Sequence, residues 1–160
     1  MPIEYRLILP KDNRELAAVI RTVLKEHKLD KDGTVFTDPT TDDLYQLFQK
    51  EQSVYWLAID DGEIIGGCGI YPTNGLPENY AELVKLYVLT KARNKGVGHH
   101  LMELCFQTAI SMDYKFLYLE TSPELAKAIS LYERKGFKSL SSSLGSSGHF
   151  ACNIWMLKEF

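Results

Sequence analysis

The chain has 160 residues, of which 45% are apolar, and a formal net charge of -3. That length suits one domain spanning residues 1–160 with a sizeable core. The small net charge argues against wholesale nucleic-acid binding, and no window approaches the roughly 18 uninterrupted apolar residues of a membrane span.

The opening MPIEYRLILPKDNRE meets a proline and charges too early for a signal peptide. Cys68, Cys105 and Cys152 are widely spaced without a C-x-x-C pair, and the histidines show no zinc spacing. Reduced thiols in a cytoplasmic protein without a metal are therefore expected. A monomer or homodimer is expected.

In chain order, YRLIL (Tyr5–Leu9) reads as a short strand. Leu16, Ile20, Val23, Leu24 and His27 then recur at helical spacing, and Leu44, Leu47 and Phe48 mark a second, shorter helix. VYWLAI (Val54–Ile59) and EIIGGCGIY (Glu63–Tyr71) flank Asp60-Asp61-Gly62, a hairpin signal because Asp-Gly supplies the positive φ of a tight turn. A polar loop leads to a strand at Glu82–Leu89. A glycine turn follows, then a helix with Val97, Leu101, Leu104, Cys105 and Thr108 on one face. YKFLYLE (Tyr114–Glu120) is another strand. Ser122-Pro123-Glu124 reads as N-cap, proline at the first helical position and an acid in the first turn of a helix ending at Gly136. Strands near Phe137–Ser141 and Phe150–Leu157 bracket a serine- and glycine-rich loop, a rim for a binding cleft.

The order β-α-α-β-β-β-α-β-α-β-β predicts an α/β protein of the α+β type. Its sheet is mixed, mostly antiparallel and six- to seven-stranded, with helices on both faces. The strand, glycine turn, helix and strand from Glu82 to Glu120 form one crossover unit, so those two strands are expected to be parallel.

Between the first of these strands and the helix, TKARNKGVG places Lys91, Arg93 and Lys95 around Gly96 and Gly98. A phosphate-binding P-loop needs Gly-Lys followed by Ser or Thr, which this stretch lacks, and a dinucleotide fingerprint needs a third glycine where Leu101 stands. What remains is Arg93-x-x-Gly96-x-Gly98 at a helix start. Unpaired amides and the positive end of the helix dipole favour an anion there, and glycines let the backbone approach it. An ordinary glycine turn with solvated basic residues is the alternative.

LVKLYVLTKARNKGVG resembles the acetyl-CoA-binding motif of the GCN5-related N-acetyltransferase (GNAT) family, in which a strand runs into Q/R-x-x-G-x-G/A. AISLYERKGF (Ala128–Phe137) resembles that family's next motif, A-x-x-x-Y-x-x-x-G-F. The resemblance implies an acyl-CoA N-acyltransferase fold that uses acetyl-CoA as co-substrate. It implies that Arg93, Asn94, Lys95, Gly96, Val97, Gly98 and His99 wrap the pyrophosphate through backbone amides. It also implies that Leu86, Tyr87 and Val88 lie along the pantetheine, that Ala128 faces the cofactor arm, and that Tyr132 protonates the leaving thiolate. Two positions depart from the family pattern. Asn94 replaces a frequent glycine, which asparagine's tolerance of the left-handed region accommodates, and Leu125 replaces an asparagine that bonds the pantetheine.

An alkylamine with a pKa near roughly 10.4 arrives protonated and needs a base. Glu82 is the candidate: in strict alternation it shares a face with Val84, Leu86 and Val88, although a strand beginning at Val84 would leave it a solvated loop acid, and a water relay could replace it. A backbone N–H near Val88 could meet the developing oxyanion. His149 and Cys152 are candidates for the acceptor pocket. Lys127, Arg134 and Lys135 read as a solvated helix face from which one residue could reach the cofactor's 3′-phosphate. His99 and His100 read as surface residues or added phosphate ligands.

The expected activity is transfer of an acetyl group to a primary amine by direct attack in a ternary complex, with no nucleic-acid or membrane partner. A non-catalytic acyl-CoA-binding module on the same fold is the alternative. The acceptor would be set by the amino-terminal helices and by the loops Pro72–Tyr80 and Ser141–Gly148.

Overall fold

A computed structural model of the chain describes residues 2–146 and 153–160. The elements are β1 (Glu4–Leu7), α1 (Asn13–Glu26), α2 (Leu44–Leu47), β2 (Val54–Asp60), β3 (Glu63–Tyr71), β4 (Tyr80–Val88), α3 (Val97–Ser111), β5 (Phe116–Thr121), α4 (Ala126–Arg134), β6 (Lys138–Leu140) and β7 (Ile154–Glu159). The strands form one seven-stranded sheet in the order β1-β2-β3-β4-β5-β7-β6. β4 and β5 are parallel, as a strand–helix–strand crossover requires. The other neighbouring pairs are antiparallel.

Each face of the sheet carries its own core. Leu16, Ile20, Val23 and Leu24 of α1 bury against Tyr55, Leu57 and Tyr87 on one face. Val97, Leu101, Met102 and Cys105 of α3 bury against Cys68, Ile70 and Leu83 on the other, joined there by Ala128, Ile129 and Tyr132 of α4. The β2–β3 hairpin turns through Asp61 and Gly62, both at positive φ, the pairing that a type I′ turn demands. Cys68 and Cys105 are free, buried thiols. Burial, with Cys68 close by, pushes the Cys105 thiol well up.

Two local expectations need correction. The helix predicted from Ser122 begins at Ala126, because Pro123–Leu125 form a 3-10 turn and Leu125 leaves the helical region at φ -103, ψ 44. The reason lies in packing. Leu125 packs into the α1-side core, whereas Ala128 and Ile129 pack into the α3-side core, so one helical axis cannot serve both.

The second correction is the alternation of β4. Gly69 pairs with Val84 and Gly67 with Tyr87, so β4 carries one extra residue across Lys85 and Leu86. Lys85 takes φ +56, the signature of a β-bulge that re-aims the strand. As a result Tyr87, not Leu86 or Val88, shares the α1 face with Glu82 and Val84, and the core clusters divide accordingly.

The bulge is built from the neighbouring strands. The Tyr55 ring lies across β3, and its hydroxyl donates to the Lys85 carbonyl at 2.6 Å. Glycines make that path possible: a Cβ at Gly67 would sit 2.5 Å from the Tyr55 ring, and one at Gly69 would sit 2.7 Å from it. Gly67→Ala is therefore expected to destabilise the chain by roughly 1–3 kcal/mol through overpacking. Urea denaturation checks this: a lowered midpoint is expected, and an unchanged one would mean that Tyr55 is free to move.

Candidate active site

β4 and β5 stay paired only at Tyr80↔Phe116, Ala81↔Leu117 and Glu82↔Tyr118. Past Glu82 the bulge turns β4 away, and an opening forms between two parallel strands. Leu89 donates its N–H to Ile65 across β3–β4 at 2.9 Å. Peptide groups alternate along an antiparallel strand, so Val88 turns its N–H and C=O toward the opening. The Val88 carbonyl accepts a hydrogen bond there from Arg93 Nε at 3.1 Å.

That bond defines what Arg93 does. Its guanidinium also lies 3.3 Å from His27 Nε2 and 3.9 Å from Glu26, stapling the glycine turn to β4 and to the end of α1. The turn then passes through left-handed Asn94 (φ +66) and Gly96 (φ +75). Asparagine is among the few residues that tolerate this region, so the departure from glycine leaves the turn intact.

Gly96 opens α3 without a side-chain cap. The amides of Val97, Gly98 and His99 have no intrahelical acceptor by position and are open to an anion. A Cβ at Gly98 would meet only Leu131 at 3.6 Å and Val88 at 3.9 Å, so the space above this turn is clear of protein. Lys95 is exposed at its rim, and Lys91 is committed to Glu63. An extended strand edge with open peptide groups, running into a turn of open amides, fits an elongated ligand with a pyrophosphate.

On the basic face of α4, Lys127 and Arg134 are exposed as expected, and only Lys135, just past the helix end, departs from expectation. Lys135 is not solvated: its side chain is 14% exposed and donates to Glu103 at 2.6 Å, with His99 at 3.3 Å. The reason is the apposition of α3 and α4, which also brings Leu131 beside Gly98. His100 stacks on Tyr5 with centroids 4.0 Å apart. Ala128 is half-buried on α4.

Glu82 and Tyr132, distant in sequence, line one cleft that runs through the β4–β5 opening, together with Lys85, Glu120 and Thr121. Glu82 is the third residue of β4 and only 4% exposed, not a solvated loop acid, and it accepts a 2.6 Å hydrogen bond from the Thr73 hydroxyl. Tyr132 is 7% exposed, and burial raises its hydroxyl pKa above the usual 10. Tyr118 donates to Glu120 at 2.7 Å and accepts from the Leu144 N–H at 2.9 Å. Burial and Glu120 both push its pKa up.

The loops after β3 and β6 meet each other. Ser146 donates to the Asn74 carbonyl at 2.7 Å, and Gly75 packs against Gly145 so closely that a Cβ would stand 3.0 Å from it. Both loops named from sequence are thus brought together, whereas His149 and Cys152 lie outside the described residues.

Sequence reasoning missed Thr73, Lys85, Tyr118, Glu120 and Thr121. One signal was present for Lys85, a lone cation inside the apolar run LVKLYV. Among the described residues no cluster of His, Cys, Asp and Glu could hold a metal ion, and no helix is long and apolar enough to cross a membrane.

The fold has known relatives. The uncharacterised N-acetyltransferase YjgM of Escherichia coli is 40% identical over 159 residues, covering 99% of this chain and 95% of that one. A GNAT-family acetyltransferase structure from Staphylococcus aureus superposes with a TM-score of 0.87 at 22% identity, covering 99% of each chain. The PaiA N-acetyltransferase of Thermoplasma acidophilum, solved in complex with coenzyme A, superposes with a TM-score of 0.73 at 17% identity, covering 100% of each chain. The acetyltransferase (GNAT) family model matches residues 20–137, which carry the bulged strand, the glycine turn and Tyr132; the chain belongs to the GNAT family of acetyltransferases.

Proposed function

We propose that the chain transfers the acetyl group of acetyl-CoA to a primary amine by direct attack in a ternary complex. One observation carries the reading: Glu82 and Tyr132, a buried acid and a buried phenol, line the same cleft through the β4–β5 opening. Acetyl-CoA supplies an activated acetyl thioester. The backbone from Arg93 to His99 holds its pyrophosphate, Leu86, Tyr87 and Val88 hold its pantetheine arm, and Ala128 leaves room beside that arm.

Glu82, directly or through one water, takes a proton from the incoming ammonium and frees the nitrogen lone pair. The Val88 N–H donates to the carbonyl oxygen as negative charge builds there. Once the C–N bond has formed, Tyr132 gives its hydroxyl proton to the departing sulfur as the C–S bond breaks, and the second proton of the now cationic nitrogen restores the phenol, leaving amide, CoA thiol and protonated Glu82. Burial holds the Tyr132 proton in place at neutral pH, and the Thr73 hydroxyl fixes the Glu82 carboxylate.

Amine-dependent release of CoA thiol, measured over a panel of small amines and free amino termini, tests the activity. Glu82→Gln is expected to lower kcat/KM by roughly 100-fold, the scale of general-base catalysis, with acetyl-CoA affinity unchanged. Full retained activity would assign the base role to water. Silence of the whole panel with intact acetyl-CoA binding would favour a non-catalytic acyl-CoA-binding module.

A further inference from the structure

The cleft contains a buried cation that the acetyl-transfer steps do not use. Lys85 has a side chain only 4% exposed, and among the described residues its Nζ has no hydrogen-bond partner. Its nearest counter-charge, Asp38 Oδ2, stands 4.0 Å away, beyond hydrogen-bond reach. The other carboxylate oxygen of Asp38 is engaged by the Thr40 amide and hydroxyl at 2.9 and 2.7 Å. An ammonium has three donors to satisfy, and burying them without acceptors is unfavourable.

The backbone sharpens the point. Lys85 occupies the left-handed residue of the β4 bulge at φ +56, and its carbonyl is clamped by the Tyr55 hydroxyl. A bulge needs only a residue that tolerates positive φ, and glycine or asparagine would hold it with less strain. The side chain, not the turn, accounts for lysine at this position. Thr121, 3% exposed and lining the same cleft, has a second buried polar atom without a partner among the described residues, its Oγ1. Lys85 is also the only basic residue among the described ones that line the cleft.

We propose that Lys85, assisted by the Thr121 hydroxyl, anchors a carboxylate on the acceptor, so that the acceptor is an amino acid or a similar small amine that carries a carboxylate. This rests on the acetyltransferase reading and names its substrate class. A carboxylate supplies acceptors for both orphaned donors and neutralises one buried charge. A phosphate, with close to two charges, would call for more cations than the cleft offers. Burial lowers the Lys85 ammonium's pKa, and Asp38 and Glu82 offset only part of that; a bound carboxylate adds a further pull toward the charged form. Glu82 and Glu120, in the same cleft, supply the opposite charge that the acceptor's ammonium needs. The pattern of one cation and two acids matches a zwitterion.

Calorimetric binding to the CoA-saturated chain tests this, with the standard α-amino acids, β-alanine and 4-aminobutyrate each compared with its carboxamide. At least one carboxylate ligand is expected to bind about tenfold or more tightly than its carboxamide, since a site built for a buried polar group rejects the analogue lacking it. Lys85→Asn, which removes the ammonium yet suits the positive φ, is expected to erase that preference without changing acetyl-CoA affinity. Lys85→Arg is expected to keep part of it. Equal binding of carboxylates and carboxamides, or binding of neither, overturns the proposal, and the wild-type comparison stands even if a variant fails to fold. The two readings separate cleanly: amine-dependent CoA release without carboxylate preference removes the anchor and keeps the transferase. Carboxylate-selective binding without any acetyl transfer does the reverse.

Discussion

Tyr132→Phe is expected to lower kcat by roughly 100-fold or more, the usual range for loss of a positioned general acid, while acetyl-CoA affinity and stability stay close to wild type. The ring is buried against Phe137, with centroids 5.8 Å apart, and phenylalanine keeps that packing. The hydroxyl makes no hydrogen bond among the described residues, so its removal leaves no orphaned partner. Steady-state kinetics together with a denaturation curve check this: loss of kcat with unchanged stability assigns the proton donor, and unchanged kcat removes Tyr132 from that role.

The sign of the pH dependence follows from burial. A general acid works only while protonated, and burial raises the Tyr132 pKa above its usual value. Its contribution is therefore present at neutral pH and lost only above about pH 10. No basic limb from this group is expected below that pH.

Gly98→Glu is expected to weaken acetyl-CoA binding at least about tenfold, or roughly 1.4 kcal/mol, with little change in stability. A Cβ at this position meets only Leu131 and Val88, both at ordinary contact distance, so the fold can accept a side chain. An acid in the first turn of α3 is even favourable to the helix dipole. The same charge would sit where the proposed pyrophosphate does, adding bulk and repulsion. Calorimetry with acetyl-CoA tests this, and undiminished affinity would show that the α3 amides do not hold the phosphates.

Much of the architecture is legible in the chain because it is locally encoded. Asp61-Gly62 supplies two positive φ values in sequence, and helix α1 announces itself through Leu16, Ile20, Val23 and Leu24, all buried. The glycine turn could be found because its requirements, residues tolerant of the left-handed region and a helix with no side-chain cap, fall within six residues. Even Asn94, the residue out of pattern, follows from its own backbone tolerance.

What the sequence alone left open depends on partners far along the chain. β7 enters the sheet between β5 and β6, a placement that strand propensity cannot encode. Strict alternation put Val88 on the face of Glu82; the bulge overruled it, because Tyr55 reaches across two glycines to hold the Lys85 carbonyl. That single long-range hydrogen bond helps set which β4 side chains face which core and where the β4–β5 opening begins. It also fixes the base of the buried Lys85 side chain. Local pattern determined the elements, their order and the glycine turn. The cleft arose only when β4, β5, α1, the segment that follows α1 and α4 converged, because its geometry belongs to contacts between segments and not to any segment by itself.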